Sequence, residues 1–186
     1  MTLPWDESTR PSAGRDTEVD TGPHGAAAGQ HLVDVHDHYR QELTRLRDVL
    51  EQVRVGSLGA GAARSELNDM AVRANTWVLG SVCQSYCFAL TQHHSMEDAG
   101  IFPHLGGEDD GLQAVIDRLG EEHRAIHDLL EAVDRALVAL VRRPGDLTTV
   151  DAAVDALSAA LLSHFAYEER ELVGPLSRHG FYAGQL

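Results

Sequence analysis

Lysine is absent from this chain. All 15 basic residues are arginine, set against 29 acids in 186 residues, and the formal net charge is −14. An acidic surface without a basic stripe argues against nucleic acid and against anionic membranes as partners. Cysteine is nearly absent too, with only Cys83 and Cys87. They stand one helical turn apart in an apolar run, which is not the disulfide framework of a secreted domain, and they read as small buried hydrophobes. No uninterrupted apolar run approaches the roughly 18 residues of a membrane span. The opening residues, MTLPWDESTR, place acids and proline where a secretory leader needs an apolar centre. A cytoplasmic protein is expected.

Glycine and proline are sparse outside the N-terminus and a few short clusters, and the long intervals between are rich in the helix formers Ala, Leu, Arg and Glu. Residues 1–27 are polar and acidic without an apolar period, so they read as a flexible, disordered tail in which Trp5 is the residue able to dock on the body. Residues 28–186 read as one all-α domain, an up-down-up-down four-helix bundle with a short C-terminal tail. Leu32, Val35, His36, Tyr39, Leu43, Leu46, Leu50 and Val53 predict a first helix over about 29–54. A second is expected from Ser65 to about 101, bending at Gly80 and ending near Pro103 and the loop GGEDDG. A third spans about 110–142 and stops at RRPGD. The fourth starts after Asp146 or Thr148 and closes at Gly174 and Pro175.

Histidine is over-supplied, at 11 residues. The informative feature is where they fall. His36, His93, His123 and His127, and His164 all lie on apolar stripes, one helix after another. Glu97 and Glu168 follow His93 and His164 by four residues, one helical turn on the same face. Burying these carboxylates without an arginine on the same stripes is costly unless a cation sits among them. His104 also has acids four and five residues on, but in a Gly-rich loop where no helical face would align them.

The chain repeats this arrangement. HDHYR at 36–40 corresponds to HRAIH at 123–127, and each precedes a His–Glu segment. Position four after the first His is Arg40 in one half and His127 in the other. One metal would then take three imidazoles (His123, His127, His164) and the other two (His36, His93), bridged by Glu97 and Glu168. The poorer metal keeps an open position for a small molecule. Imidazole and carboxylate without thiolate suit iron, with manganese or zinc as alternatives.

These residues resemble the hemerythrin family, specifically the bacterial hemerythrin-like HHE cation-binding domains, over about 30–176. The resemblance rests on the inward His36, on HxxxE at His93 and Glu97, on HxxxH at His123 and His127, and on His164 with its acids. It implies a four-helix bundle around an oxo- or hydroxo-bridged pair of iron ions. Family members bind dioxygen or nitric oxide, sense oxygen or iron, or decompose peroxide. The resemblance thus implies O2, NO or H2O2 as the partner of a monomer or homodimer, with catalase-like peroxide removal as one activity. The alternative is an oxygen-, iron- or NO-sensing or iron-binding module without turnover.

The last helix departs from classical hemerythrins, which resemble HxxxxD where this chain has Glu168 and Glu169. Glu168 is the expected bridge, with Glu169 behind the ligands or at the surface. His94 and Asp98 lie about 100° round the helix from His93 and Glu97, which turns them toward solvent or at most behind the ligands. Tyr86, on the stripe of His93, either hydrogen-bonds there or fills the core. A ferritin-like site would need Glu three residues before His, and no His here has one.

Overall fold

The computed structural model describes residues 2–14, 23–55, 84–142 and 147–181. Helix α1 spans Pro23–Arg54, α2 Gln84–Met96, α3 Phe102–Glu108, α4 Gln113–Arg142 and α5 Thr148–His179. A π-turn over Glu97–Ile101 joins α2 to α3, and a 3-10 turn over Asp110–Leu112 leads into α4. The expected helix start at Ser65, the bend at Gly80, Cys83 and the RRPGD turn lie outside the described residues, as do the side chains of Tyr86 and Cys87.

Helix direction follows from contacts. On α1 and α2, His36 meets His93 while Tyr39, further along, donates its hydroxyl to the Ala89 carbonyl, earlier in α2. These two helices are antiparallel. Arg54, at the end of α1, pairs with Asp151 at the start of α5, while Gly25 lies against Ser177. Leu112, Val115 and Leu119 pack with Tyr167, Leu172 and Leu176, whereas Ile126, Leu130 and Val133 pack with Val150, Val154 and Leu157. Helix α4 therefore runs against α5, and the four long segments go up, down, up and down.

The apolar core is divided into two clusters. Between them, at one level of the bundle, lies a band of buried polar side chains: His36, His93, His94, Glu97, Glu122, His123, His164 and Glu168. The helices thus carry apolar stripes interrupted at matching heights.

Close approach of α1 to α5 depends on glycine. A Cβ on Gly25 would run into the Ser177 carbonyl, and one on Gly29 would sit 2.8 Å from the Val173 carbonyl oxygen. Neither obstacle is the movable end of a side chain. Gly29→Leu is expected to cost about 1–3 kcal/mol through overpacking, read as a lower midpoint in urea unfolding.

Several boundaries differ from the sequence reading. Pro103 does not end the second segment: it sits in the first turn of α3, where a missing N–H is tolerated. The π-turn just before it takes up the break, with the Phe102 N–H bonded to the Glu97 carbonyl. His104 is therefore helical rather than in a loop, and its Nε2 lies 3.1 Å from the Gly180 carbonyl oxygen, away from the polar band. Helix α5 runs through Gly174 and Pro175 to His179, and Gly180 closes it with φ of 66°. The C-terminal tail begins by folding back, with the Phe181 ring 5.8 Å from His31.

The largest correction concerns the N-terminus. Residues 2–14 are not a free tail but a strap laid across the bundle. Leu3 and Trp5 pack against the core, the Tyr167 hydroxyl donates to the Pro11 carbonyl at 2.8 Å, and Glu171 accepts from Ser12 and Ala13. A strap held by residues more than 100 positions away has no local period, so its sequence resembles disorder.

Candidate metal centre

Each ligand candidate owes its direction to the stripe of its helix. On α2 and the π-turn that continues it, Leu90 and Glu97 are buried, and His93 and His94 flank them and are both buried. At about 100° per residue, Glu97 stands roughly 40° from His93 and 60° from His94. Both imidazoles therefore reach inward from either side of one centre. The expectation that His94 faces solvent measured its angle from His93 rather than from the middle of the stripe. A bundle helix faces two neighbours, and its buried arc is wide enough for both.

The same geometry excludes His127. The buried stripe of α4, with Leu112 just before it, runs Val115, Leu119, Glu122, Ile126, Leu130 and Val133. Its centre lies roughly 50° to one side of His123, while His127 lies about 40° to the other. The His127 side chain is 53% exposed and faces Glu131 at 3.5 Å. The structure does not bring it to the cluster.

Six of the seven expected ligands do converge, with His94 in place of the seventh. Glu97 places one oxygen 3.2 Å from His93 Nε2 and the other 3.7 Å from His123 Nε2. Glu168 Oε2 lies 3.4 Å from both His36 Nε2 and His164 Nε2. Ligand-capable atoms gather as His94, His123 and His164, as His36, His93 and Glu97, and as Glu97, His123 and Glu168, each set within 4.8 Å. The division is into three imidazoles and two, with a carboxylate spanning from each side.

Behind this ring stand carboxylates that fix the imidazoles. His36 Nδ1 is 2.9 Å from Glu169, which Arg40 holds at 2.7 Å. His123 Nδ1 is 2.9 Å from Asp98, and His164 Nδ1 is 3.2 Å from Glu122. A carboxylate on Nδ1 sets the tautomer and leaves the Nε2 lone pair aimed inward, the usual support of a metal-bound histidine. Stacking fixes the rings further: His94 lies on His123 at 4.0 Å and His36 on Phe165 at 4.2 Å. The HxxxD pair of His94 and Asp98 thus belongs to the site. Glu122 escaped the sequence reading, although it stood on the α4 stripe as a buried acid beside His123.

In this cluster, burial and neighbouring charges pull the ionisable groups in opposite directions. Burial pushes His93 down to about 3 and His94 well below its usual range, and it lowers His123 despite Asp98. Burial also pulls on His36 and His164. There the carboxylates of Glu168 and Glu169, and of Glu122 and Glu168, outweigh it and raise both. Glu97 is driven well above the carboxylate range by burial and by Glu168. Burial would raise Glu168 as well, but His164 and His36 hold it well below.

Whether the residues suit a metal can be judged from their unpaired atoms. The Nε2 atoms of His36, His93, His94, His123 and His164 and all four oxygens of Glu97 and Glu168 are buried without hydrogen-bond partners. Buried polar atoms rarely stay unpaired, and here they point at one another. Imidazole and carboxylate donors of this kind suit iron, manganese or zinc. The residues fit.

Fold and cluster together define a metal-binding four-helix bundle. The hemerythrin family model, described as the hemerythrin HHE cation binding domain, matches residues 27–176, and the chain belongs to that family. No curated protein and no solved structure matches it. Among the described residues, no helix is long and apolar enough to cross a membrane.

The support of His36 gives a measurable expectation. Glu169→Ala should weaken metal binding on the His36 side by about 10–100-fold, as loss of such a partner commonly does. A metal titration would show it, with helix content by circular dichroism unchanged.

Proposed function

We propose that this protein is a non-haem di-iron protein that binds or reacts with O2, NO or H2O2, with peroxide removal as its candidate turnover. The observation that carries this is the convergence of nine buried, unpaired donor atoms in a three-imidazole and a two-imidazole half. His94, His123 and His164 would hold one ion and His36 and His93 the other, with Glu97 and Glu168 between them. When bound, a pair of irons supplies reversible electron transfer and a coordination position left open where imidazoles are fewer.

The protein's own residues supply access and enclosure. An apolar cavity of about 150 Å³ is lined by Leu32, Val35, Tyr39 and Phe181 together with His93 and Glu97. It admits a small uncharged molecule to the two-imidazole half. Tyr39 forms part of its wall, and burial, with Glu97 nearby, pushes its hydroxyl well above the usual phenol range, so it stays protonated at neutral pH. With a net charge of −14, the reading extends to a cytoplasmic monomer or homodimer that engages a diffusing ligand rather than nucleic acid or membrane.

The test is to load the protein with Fe(II), count bound iron and record the optical spectrum. About two irons per chain with charge-transfer bands support the di-iron reading; one or none sinks it. O2 release on adding H2O2 then marks turnover, and its absence leaves a binding or sensing module.

A further inference from the structure

The carboxylate behind His164 is secured from outside the bundle. Arg10, on the N-terminal strap, places Nε 2.8 Å from Glu122 Oε1 and Nη2 2.8 Å from Oε2. Oε2 is the same oxygen that meets His164 Nδ1 at 3.2 Å. The Arg10 side chain is only 5% exposed and that of Glu122 only 1%. Its guanidinium lies over the Tyr167 ring at 4.6 Å and near Trp5 at 5.5 Å. Arg118, from the same helix as Glu122, reaches only Oε1, at 3.1 Å. The oxygen that faces His164 is thus held by the strap alone among the described arginines.

The other imidazoles are supported differently. Glu169, behind His36, is held by Arg40, which lies one turn beyond His36 on the same helix. Asp98, behind His123, belongs to the π-turn and is about half exposed. Among the described residues, only the support of His164 is held by the N-terminal strap.

We propose that Arg10 is a positioning residue for His164, so that the N-terminal strap sets metal affinity at the three-imidazole position and leaves the two-imidazole position unaffected. The inference rests on the two-position reading given above. Its physical basis is the bidentate fork: two parallel charge-assisted bonds hold the carboxylate plane in place. A fixed carboxylate orients the imidazole and raises its basicity toward a metal. Without Arg10, Glu122 would keep one arginine, Arg118 on Oε1, and its Oε2 would be free to turn from His164.

The test uses the full chain, titrated without oxygen with Co(II), whose visible bands report each ion as it binds. Arg10→Gln is expected to weaken one of two ions by about 10-fold and leave the other unchanged. Arg10→Lys should fall between, because an ammonium keeps the charge but not the fork. Glu122→Gln should weaken the same ion at least as much, and adding Arg10→Gln to it should change nothing further, as for residues acting in series. Leu46→Ala, a core truncation in the larger cluster, should lower thermal stability while leaving both ions in place.

An Arg10→Gln titration that overlays the wild type overturns the proposal. So does equal weakening of both ions, or the same selective loss in Leu46→Ala. Wild-type protein that takes up fewer than two ions instead overturns the two-position reading, and the proposal with it.

Discussion

On the proposed di-iron reading, His94→Ala is expected to abolish one of two metal positions, reducing bound iron from about two per chain to about one or less. His127→Ala should leave the iron count unchanged. The contrast is large because the two residues exchange the environments that simple spacing assigns them. His94 is buried, stacked on His123 at 4.0 Å, and grouped with His123 and His164. Its Nε2 has no protein partner. Alanine would remove one of three imidazoles and leave a void that water can enter, and the ion there would lose a donor that no neighbour replaces. His127 contributes only a weak contact with Glu131 on the exposed face, worth at most a few tenths of a kcal/mol. Iron analysis of the purified variants, with circular dichroism to confirm folding, decides the matter. Iron loss from His127→Ala, or full iron in His94→Ala, would reverse the assignment.

Glu168→Ala should have the widest effect, removing both ions and leaving well under about one iron per chain. Its Oε2 is equidistant, at 3.4 Å, from imidazoles belonging to the two halves. Its removal also takes away the negative charge that raises His36 and His164. Glu97 would be the one inward carboxylate left to balance both ions, with an oxygen toward His93 and the other toward His123. Glu169→Ala, one residue on, should retain both ions and only weaken the His36 side. The pair decides which acid spans the two halves, since Glu169 reaches Nδ1 of His36 from outside the ring rather than Nε2 from within. Comparable iron in both variants would remove Glu168 from its proposed place.

Much of this site is legible in the amino-acid sequence. The apolar stripes placed His36, His93, His123 and His164 inward, and one-turn spacing set Glu97 and Glu168 beside them. The structure also groups three imidazoles against two, but with His94 where spacing had put His127. What misled was treating spacing as direction. His127 is one turn from His123, as Glu97 is from His93, yet the first is exposed and the second buried, because the centre of each stripe lies elsewhere. Glu122 was legible in principle, as an acid in step with Leu119 and Ile126. Arg10 was not, because no local pattern links residue 10 to residue 122.

By itself, the sequence determined the features that period and composition dictate: an all-α bundle, the four helices that supply the donors, and the conflict of burying so many ionisable groups without a cation. These are properties of 3.6-residue geometry and desolvation, which act within a few turns of chain. Only the tertiary structure decided which side of each stripe faces the common centre, that His94 rather than His127 completes the three-imidazole set, and that the acidic N-terminus lies against the bundle. Those outcomes depend on how helices rotate against two neighbours at once and on contacts across more than a hundred residues. Neither leaves a mark in local spacing.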